Sequence, residues 1–256
     1  MPTEPEPLTA VARPLTGQPF THQSWRDLTM VHWAVDPSAV RRFMPPGVEP
    51  DVWEGRTFVG LVPFRMVDVA VAGPPLPGGI GTFLETNVRL YSVDASGRRG
   101  VVFVSRDAER LAFVTATRAT TGLPYRWATM RHEHSIGRDG ADEHRYVTHL
   151  RGLYRHVRSV VRTRVLEPME PGPLELFLTA RWGLHAQHLG RTWFLPNEHE
   201  PWPLHRAEVE VADDLVPHAG IVGTSGRAPD HVLFSPGVTT RFGPPVRVDR
   251  ASRTGG

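Results

Sequence analysis

The sequence predicts an α+β, mostly β protein: an antiparallel, largely closed sheet with a few peripheral helices. Three observations predict it. About nine or ten segments carry the two-residue alternation or β-branched richness of strands, against about three short helical ones. The connections are mainly of hairpin length, which suits antiparallel neighbours. The regular helix–strand alternation of a parallel doubly wound sheet is missing. Closure is the economical way for such a sheet to dispose of its edges.

Residues 1–20 are rich in proline and read as a flexible tail. Residues 23–33 form a short amphipathic entry segment. Asp36 is placed to cap a short helix with Pro37 at its first position, running to about Met44 before Pro45-Pro46-Gly47 stops it. Residues 57–71 are apolar on both faces, the mark of a strand buried on two sides. The Gly/Pro-rich stretch 73–81 is a loop leading into a strand at 83–91. A turn at Ser96-Gly97 returns the chain as a strand at 101–105. Helical spacing covers 109–120, ended by Gly122 and Pro124. Strands follow at 125–134, 143–150 and 157–166. The longest helix is expected over 174–189, where Leu174, Phe177, Leu178, Trp182, His185 and Leu189 recur at three- and four-residue steps. Strands at 191–195, 204–211 and 231–234, with a short helix near 213–216, complete one domain over 21–247. Residues 248–256 read as a second tail.

Composition excludes several chemistries. The 256 residues contain no cysteine, which removes disulfides, thiolate nucleophiles and cysteine-based zinc sites. They contain no lysine either, so all 29 basic residues are arginine. A side-chain Schiff base, a pyridoxal anchor and a phosphate-loop lysine are therefore all excluded. The formal charge of +2 does not mark a nucleic-acid binder. The basic run Arg151, Arg155, Arg158, Arg162 and Arg164 reads as a solvated face. No window is long and apolar enough to span a membrane. The first 20 residues carry acids and prolines where a signal peptide needs a basic and then an apolar region, so a cytoplasmic location is expected. The 13 histidines include the pairs His132/His134 and His185/His188, but neither comes with a third ligand at a recognisable spacing, and no metal or cofactor is expected.

The most informative stretch is 83–91. As a strand it places Leu84, Thr86, Val88 and Leu90 on one face and Phe83, Glu85, Asn87, Arg89 and Tyr91 on the other. The second face is either a solvated exterior with an ordinary Glu/Arg pair or the wall of a polar cavity.

Several motifs bear on that choice. They are Phe43-Met44-Pro45-Pro46-Gly47, Trp53-Glu54-Gly55-Arg56 with Leu61-Val62-Pro63-Phe64-Arg65-Met66, Glu85 to Tyr91, Gly100-Val101-Val102-Phe103, Arg118 with Gly122-Leu123-Pro124-Tyr125, and Pro201-Trp202-Pro203-Leu204. In this order and spacing, over about residues 24–245, the chain resembles the YqjF-like family, domain of unknown function family 2071, which belongs with the acetoacetate-decarboxylase-like fold. The resemblance implies a closed, cone-like antiparallel β-barrel around a small-molecule cavity. In decarboxylases of this fold a Gly-Phe-Pro-Lys-Lys segment supplies the Schiff-base lysine. Here the matching segment reads Gly122-Leu123-Pro124-Tyr125-Arg126, so that chemistry is absent. The resemblance places the cavity glutamate at Glu85 and the helix arginine at Arg118.

These readings give two catalytic candidates, Glu85 as a base and Tyr125 as an oxyanion donor. Asn87, Arg89, Arg118 and Arg126 are the ligand-binding candidates, and on a regular strand only one of Tyr125 and Arg126 can face the cavity. The expected partner is a small anionic or carbonyl-bearing organic molecule, with neither nucleic acid nor membrane, and self-association into a homo-oligomer is left open. Acid/base chemistry without a Schiff base and binding without catalysis both fit.

Overall fold

A computed structural model describes residues 4–76 and 79–248; the tail expected at 248–256 falls, from 249 onward, outside the described residues. The chain is mostly strand. Its strands are β1 (Thr21–Val35), β2 (Val48–Pro50), β3 (Thr57–Val71), β4 (Phe83–Asp94), β5 (Arg99–Ala108), β6 (Tyr125–Ile136), β7 (Asp142–Leu150), β8 (Arg158–Met169), β9 (Gly183–His188), β10 (Arg191–Glu198), β11 (Leu204–Asp213), β12 (His231–Phe242) and β13 (Val246–Arg247). The helices are α1 (Pro37–Val40), α2 (Leu111–Thr121), α3 (Pro173–Thr179) and α4 (Leu215–His218).

The pairings close two circuits that share a wall. Nine strands run β1-β3-β4-β5-β6-β7-β8-β11-β12 and return to β1. Seven strands run β1-β3-β4-β5-β9-β10-β12 and also return to β1. The common wall is β12-β1-β3-β4-β5. This explains why 57–71 is apolar on both faces: β3 has a core on each side. One core joins Val31, Trp33, Leu61, Val88, Tyr146 and Val161, drawn from strands right round the nine-strand circuit, so it fills that circuit. The other joins Met30, Phe64, Phe83, Tyr91, Leu184 and Phe242 with Phe177 and Leu178 of α3, and so fills the seven-strand one. Nearly all pairings are antiparallel. The β5–β6 pairing is parallel, as the α2 crossover requires, and the single β5–β9 pair is parallel too.

Local signals are obeyed where they are strong. Asp36 caps α1 by accepting the Ser38 N–H at 2.8 Å, and Pro37 opens it. Gly122 ends α2 in the left-handed region at φ 69°, its N–H on the Arg118 carbonyl at 3.2 Å.

Two expectations fail. The amphipathic entry segment is the fifteen-residue strand β1. The long helix over 174–189 stops at Thr179. Ala180 leaves the helical region at ψ 69°, and Arg181 folds back to donate its Nε to the Phe177 carbonyl at 2.7 Å. Residues 183–198 then form the β9–β10 hairpin across Leu189 and Gly190, both at positive φ. A burial pattern that fits helical steps is overridden by the strands available beside it.

Residues 4–20 form neither strand nor helix but lie against the sheet. Glu6 N–H donates to the Gly97 carbonyl at 2.8 Å, Trp182 Nε1 to the Thr9 carbonyl at 3.1 Å, and Leu15 N–H to Glu198 Oε2 at 2.9 Å. Among the described residues no helix is long and apolar enough to cross a membrane.

Candidate ligand site

Strand β4 lies in the shared wall and divides its side chains between the two circuits. Val88 and Leu90 enter the nine-strand core, with Thr86 beside them sharing a hydroxyl hydrogen bond of 2.9 Å with Thr148. Phe83, Glu85, Asn87, Arg89 and Tyr91 turn to the seven-strand side, with Phe83 against Phe113 of α2 and Arg89 and Tyr91 against α3. The polar row is therefore no solvated exterior: Glu85 is wholly buried and Asn87 is 5% exposed.

At one end of the row the groups are fully paired. Glu85 Oε1 accepts from Arg106 Nε at 2.8 Å, and Oε2 accepts from Arg106 Nη2 at 3.1 Å and from the Tyr125 hydroxyl at 3.1 Å. The register makes this meeting. Arg106 stands opposite Asn87 across β4–β5 and opposite Tyr125 across β5–β6. Its guanidinium also lies 4.6 Å from the Phe103 ring centre and 4.5 Å from that of Tyr125. Burial works against the Arg106 charge, but Glu85 and Tyr125 together outweigh it and raise the guanidinium pKa. Burial pushes the Tyr125 hydroxyl well up, so it stays protonated and donates.

Two other candidates lie elsewhere. Arg118 is exposed on α2, whose inward stripe is the buried Val114 with the half-buried Phe113, Thr117 and Thr121; the cationic partner of Glu85 is Arg106. Arg126 points to the opposite side from Tyr125, donating Nε to Asp107 Oδ1 at 2.6 Å, and Nη2 to Asp107 Oδ2 at 2.9 Å and to Ser105 Oγ at 3.0 Å. Burial raises the Asp107 carboxyl to about 6, with Arg126 pulling the other way. Arg126 thus serves Asp107, on the far side of the wall from Glu85.

Along the same face of β4 the pairing gives out. Asn87 Oδ1, Arg89 Nε and the Tyr91 hydroxyl are buried with no hydrogen-bond partner among the described residues. Arg89 has only a long contact of 3.4 Å from Nη2 to the Leu178 carbonyl and one of 3.9 Å to Met30 Sδ, and it has no carboxylate partner among the described residues. Both ring nitrogens of His32 and the Nδ1 of His231 are unpartnered as well. His32 lies 6.0 Å from Tyr91 and 6.3 Å from His231, ring centre to ring centre. His231 Nε2 meets Glu175 Oε1 at 2.8 Å, at a half-buried rim between β12 and α3. Beyond Tyr91, Asp51 answers Arg181 and Arg99, both at 2.5 Å. The sequence reading singled out Arg89 and Asn87 but missed Arg106, His32 and His231. Alternation over 101–105 would have put Arg106 on the face opposite Val101 and Phe103; an irregularity in the register between the Val88–Ser105 and Arg89–Phe103 pairs turns it toward Glu85.

His132 Nε2 and His144 Nδ1 are 3.0 Å apart, His134 reaches Asp142 at 2.8 Å, and the described residues hold no group of three or more ligands placed for a metal ion. His185 lies on β9, not on a helix, against Ser92 Oγ at 2.9 Å. The arginine run is partly answered by acids: Arg162 reaches Glu210 at 3.4 Å and Arg164 pairs with Asp139. Three surface clefts, of 570, 370 and 300 Å³, are lined by residues outside the β4 row.

The family model DUF2071, an uncharacterized conserved protein, matches residues 22–239. The chain belongs to the DUF2071 family. This DUF2071 chain is 28% identical over 199 residues to the uncharacterized protein YqjF of Bacillus subtilis (strain 168), covering 77% of this chain and 80% of that one. Solved structures share its fold at low identity. An acetoacetate decarboxylase-like enzyme from Sphingomonas wittichii RW1 aligns with a TM-score of 0.64 at 12% identity, over 91% of this chain and 94% of that one. The acetoacetate decarboxylase of Legionella pneumophila aligns at 0.58 and 14%, over 93% and 90%. The enduracididine biosynthesis enzyme MppR complexed with pyruvate aligns at 0.58 and 16%, over 92% of each chain.

Proposed function

We propose that this DUF2071 protein binds a small organic molecule bearing a carboxylate or carbonyl group, inside the seven-strand enclosure of a closed, cone-like barrel. One observation carries the reading. Arg89, half-buried with its Nε fully covered, has no acid to answer it among the described residues, and lies beside the unpartnered Asn87 Oδ1 and Tyr91 hydroxyl. A buried charge is normally paired, and a buried polar atom normally hydrogen-bonded. A set of unpaired donors and acceptors on one strand face is therefore suited to a ligand that supplies the partners. The fold neighbours, one of them complexed with pyruvate, support a ligand of this size and class.

Binding is favoured over catalysis through Glu85. Both carboxylate oxygens of Glu85 are engaged by Arg106, and the Tyr125 proton is directed at Glu85. Any acid/base step here proceeds without a Schiff base, since the chain has no lysine. The test is a thermal-shift screen with small carboxylates and 2-oxo acids, followed by NMR observation of turnover. A stabilising compound is expected, with Glu85→Gln altering turnover only if Glu85 is a base. The absence of any stabilising compound across the screen would refute the proposal.

A further inference from the structure

The unpaired groups of β4 belong to a row that crosses four strands. His231 on β12 is in register with His32 on β1, His32 with Gly60 on β3, and Gly60 with Arg89 on β4. The bare position in the row is what lets its members meet. A Cβ on Gly60 would stand 3.2 Å from Arg89 Cγ, 3.3 Å from Arg89 Nε and 3.5 Å from His32 Cδ2. The arginine side chain thus lies flat over the glycine backbone and leans toward His32, instead of standing off the sheet. Its Nε–Nη2 edge is the planar fork that matches a carboxylate, and Nε is free.

Resting on the proposed function, we infer that the row His231–His32–Gly60–Arg89 is a built carboxylate site, in which Arg89 holds the two oxygens and His32 with Tyr91 donates from the flank. Three orphaned groups would find partners in one ligand: Arg89 Nε, the Tyr91 hydroxyl and one His32 nitrogen. The charged and titratable groups around His32 are Arg89 and Tyr91 on β4, His231 on β12, Glu175 on α3, which is engaged by His231, and Arg181 just after α3, which is engaged by Asp51. Burial lowers the His32 pKa well below its usual value, the charges of Arg89 and His231 lower it further, and the His231 backbone pulls weakly the other way. These surroundings favour a neutral His32. A carboxylate brought beside it reverses the local field and favours the imidazolium. Binding takes up a proton, and affinity falls as pH rises.

The experiment is titration calorimetry of the full chain with acetate, pyruvate and inorganic phosphate, each at three pH values and in two buffers of different ionisation enthalpy. It is paired with ¹⁵N spectra of the histidine rings. Expected are binding of acetate or pyruvate with net proton uptake, a shift of the His32 ring nitrogens, and at least a 30-fold weakening in Arg89→Met. Gly60→Ala is the second variant: it keeps every charge and should weaken binding about tenfold by displacing the arginine. Arg162→Ser, on the outer face of β8, should bind as the parent does. Carboxylate binding that Arg89→Met and Gly60→Ala leave unchanged, or that leaves the His32 signals in place, would overturn this site while the broader ligand proposal stood. Phosphate binding in place of carboxylate would overturn the ligand class. No binding of any probe would remove both.

Discussion

Glu85 and Arg89 stand on one face of one strand, four residues apart, in the same enclosure, yet their surroundings are opposite. Around Glu85, two arginine nitrogens and a phenol hydroxyl meet two carboxylate oxygens. Around Arg89, a guanidinium nitrogen, a phenol hydroxyl, an amide oxygen and two imidazole nitrogens meet nothing. The first arrangement is complete within the protein, and its loss should be felt in folding. The second is, on the proposed function, completed by a ligand, and its loss should be felt in binding. Burial and polarity alone do not distinguish structure from site; the pairing does.

The comparison can be broken most directly with two arginine substitutions. Arg106→Leu leaves the Glu85 carboxylate buried without its cation. It should destabilise the protein by about 3–5 kcal/mol, a fall in Tm of roughly 6–20 °C for a chain of this size. Arg89→Met removes a charge that nothing answers and should leave Tm unchanged or raise it. Calorimetric melting of both variants decides the matter, and equal losses would erase the distinction. Tyr125→Phe removes one donor from a charged acceptor that keeps its arginine. A loss of about 1.5–3 kcal/mol is expected by urea denaturation.

Stability should also fall with acidification. The His32 pKa is lower in the folded state than in the unfolded chain, so the unfolded state binds more protons as pH falls below about 6.5. Its contribution to stability is whole above that value and is lost on acidification. His144, lowered to about 4 chiefly by burial, acts in the same direction. The parent should therefore lose stability between about pH 6.5 and 4, and His32→Phe should lose less over the same range, measured as denaturant midpoints. An unchanged slope in the variant would mean that His32 does not titrate as placed. The smallest effect on folding is expected from Gly60→Ala, within about 1 kcal/mol either way, since the atom it meets belongs to a long and movable side chain. Its effect on carboxylate affinity should be the larger of the two.

Much of the architecture was legible in the sequence because the signals are local. The two-sided hydrophobicity of 57–71 announced a strand buried on both faces, and that is β3 in the shared wall. The Asp36-Pro37 start and the Gly122 stop each rest on backbone groups within a few residues. The alternation in 83–91 separated Leu84 and its partners from Glu85 and its partners, and the structure keeps that division. The stretch 174–189 misled for the same kind of reason. Its apolar steps suit a helix, but a turn at Leu189-Gly190 and a neighbouring strand convert half of it to a hairpin.

The sequence by itself determined that no lysine or cysteine chemistry operates, and that a polar row would line one face of a central strand. It also carried the family. Only the tertiary structure decided which side of the wall that row faces, that Arg106 and not Arg118 answers Glu85, and that His231, His32, Gly60 and Arg89 fall into one line. The reason is physical. Composition and alternation are properties of a chain and its nearest neighbours. The pairing of a buried charge depends on residues up to about two hundred positions apart, which meet only when the circuits close.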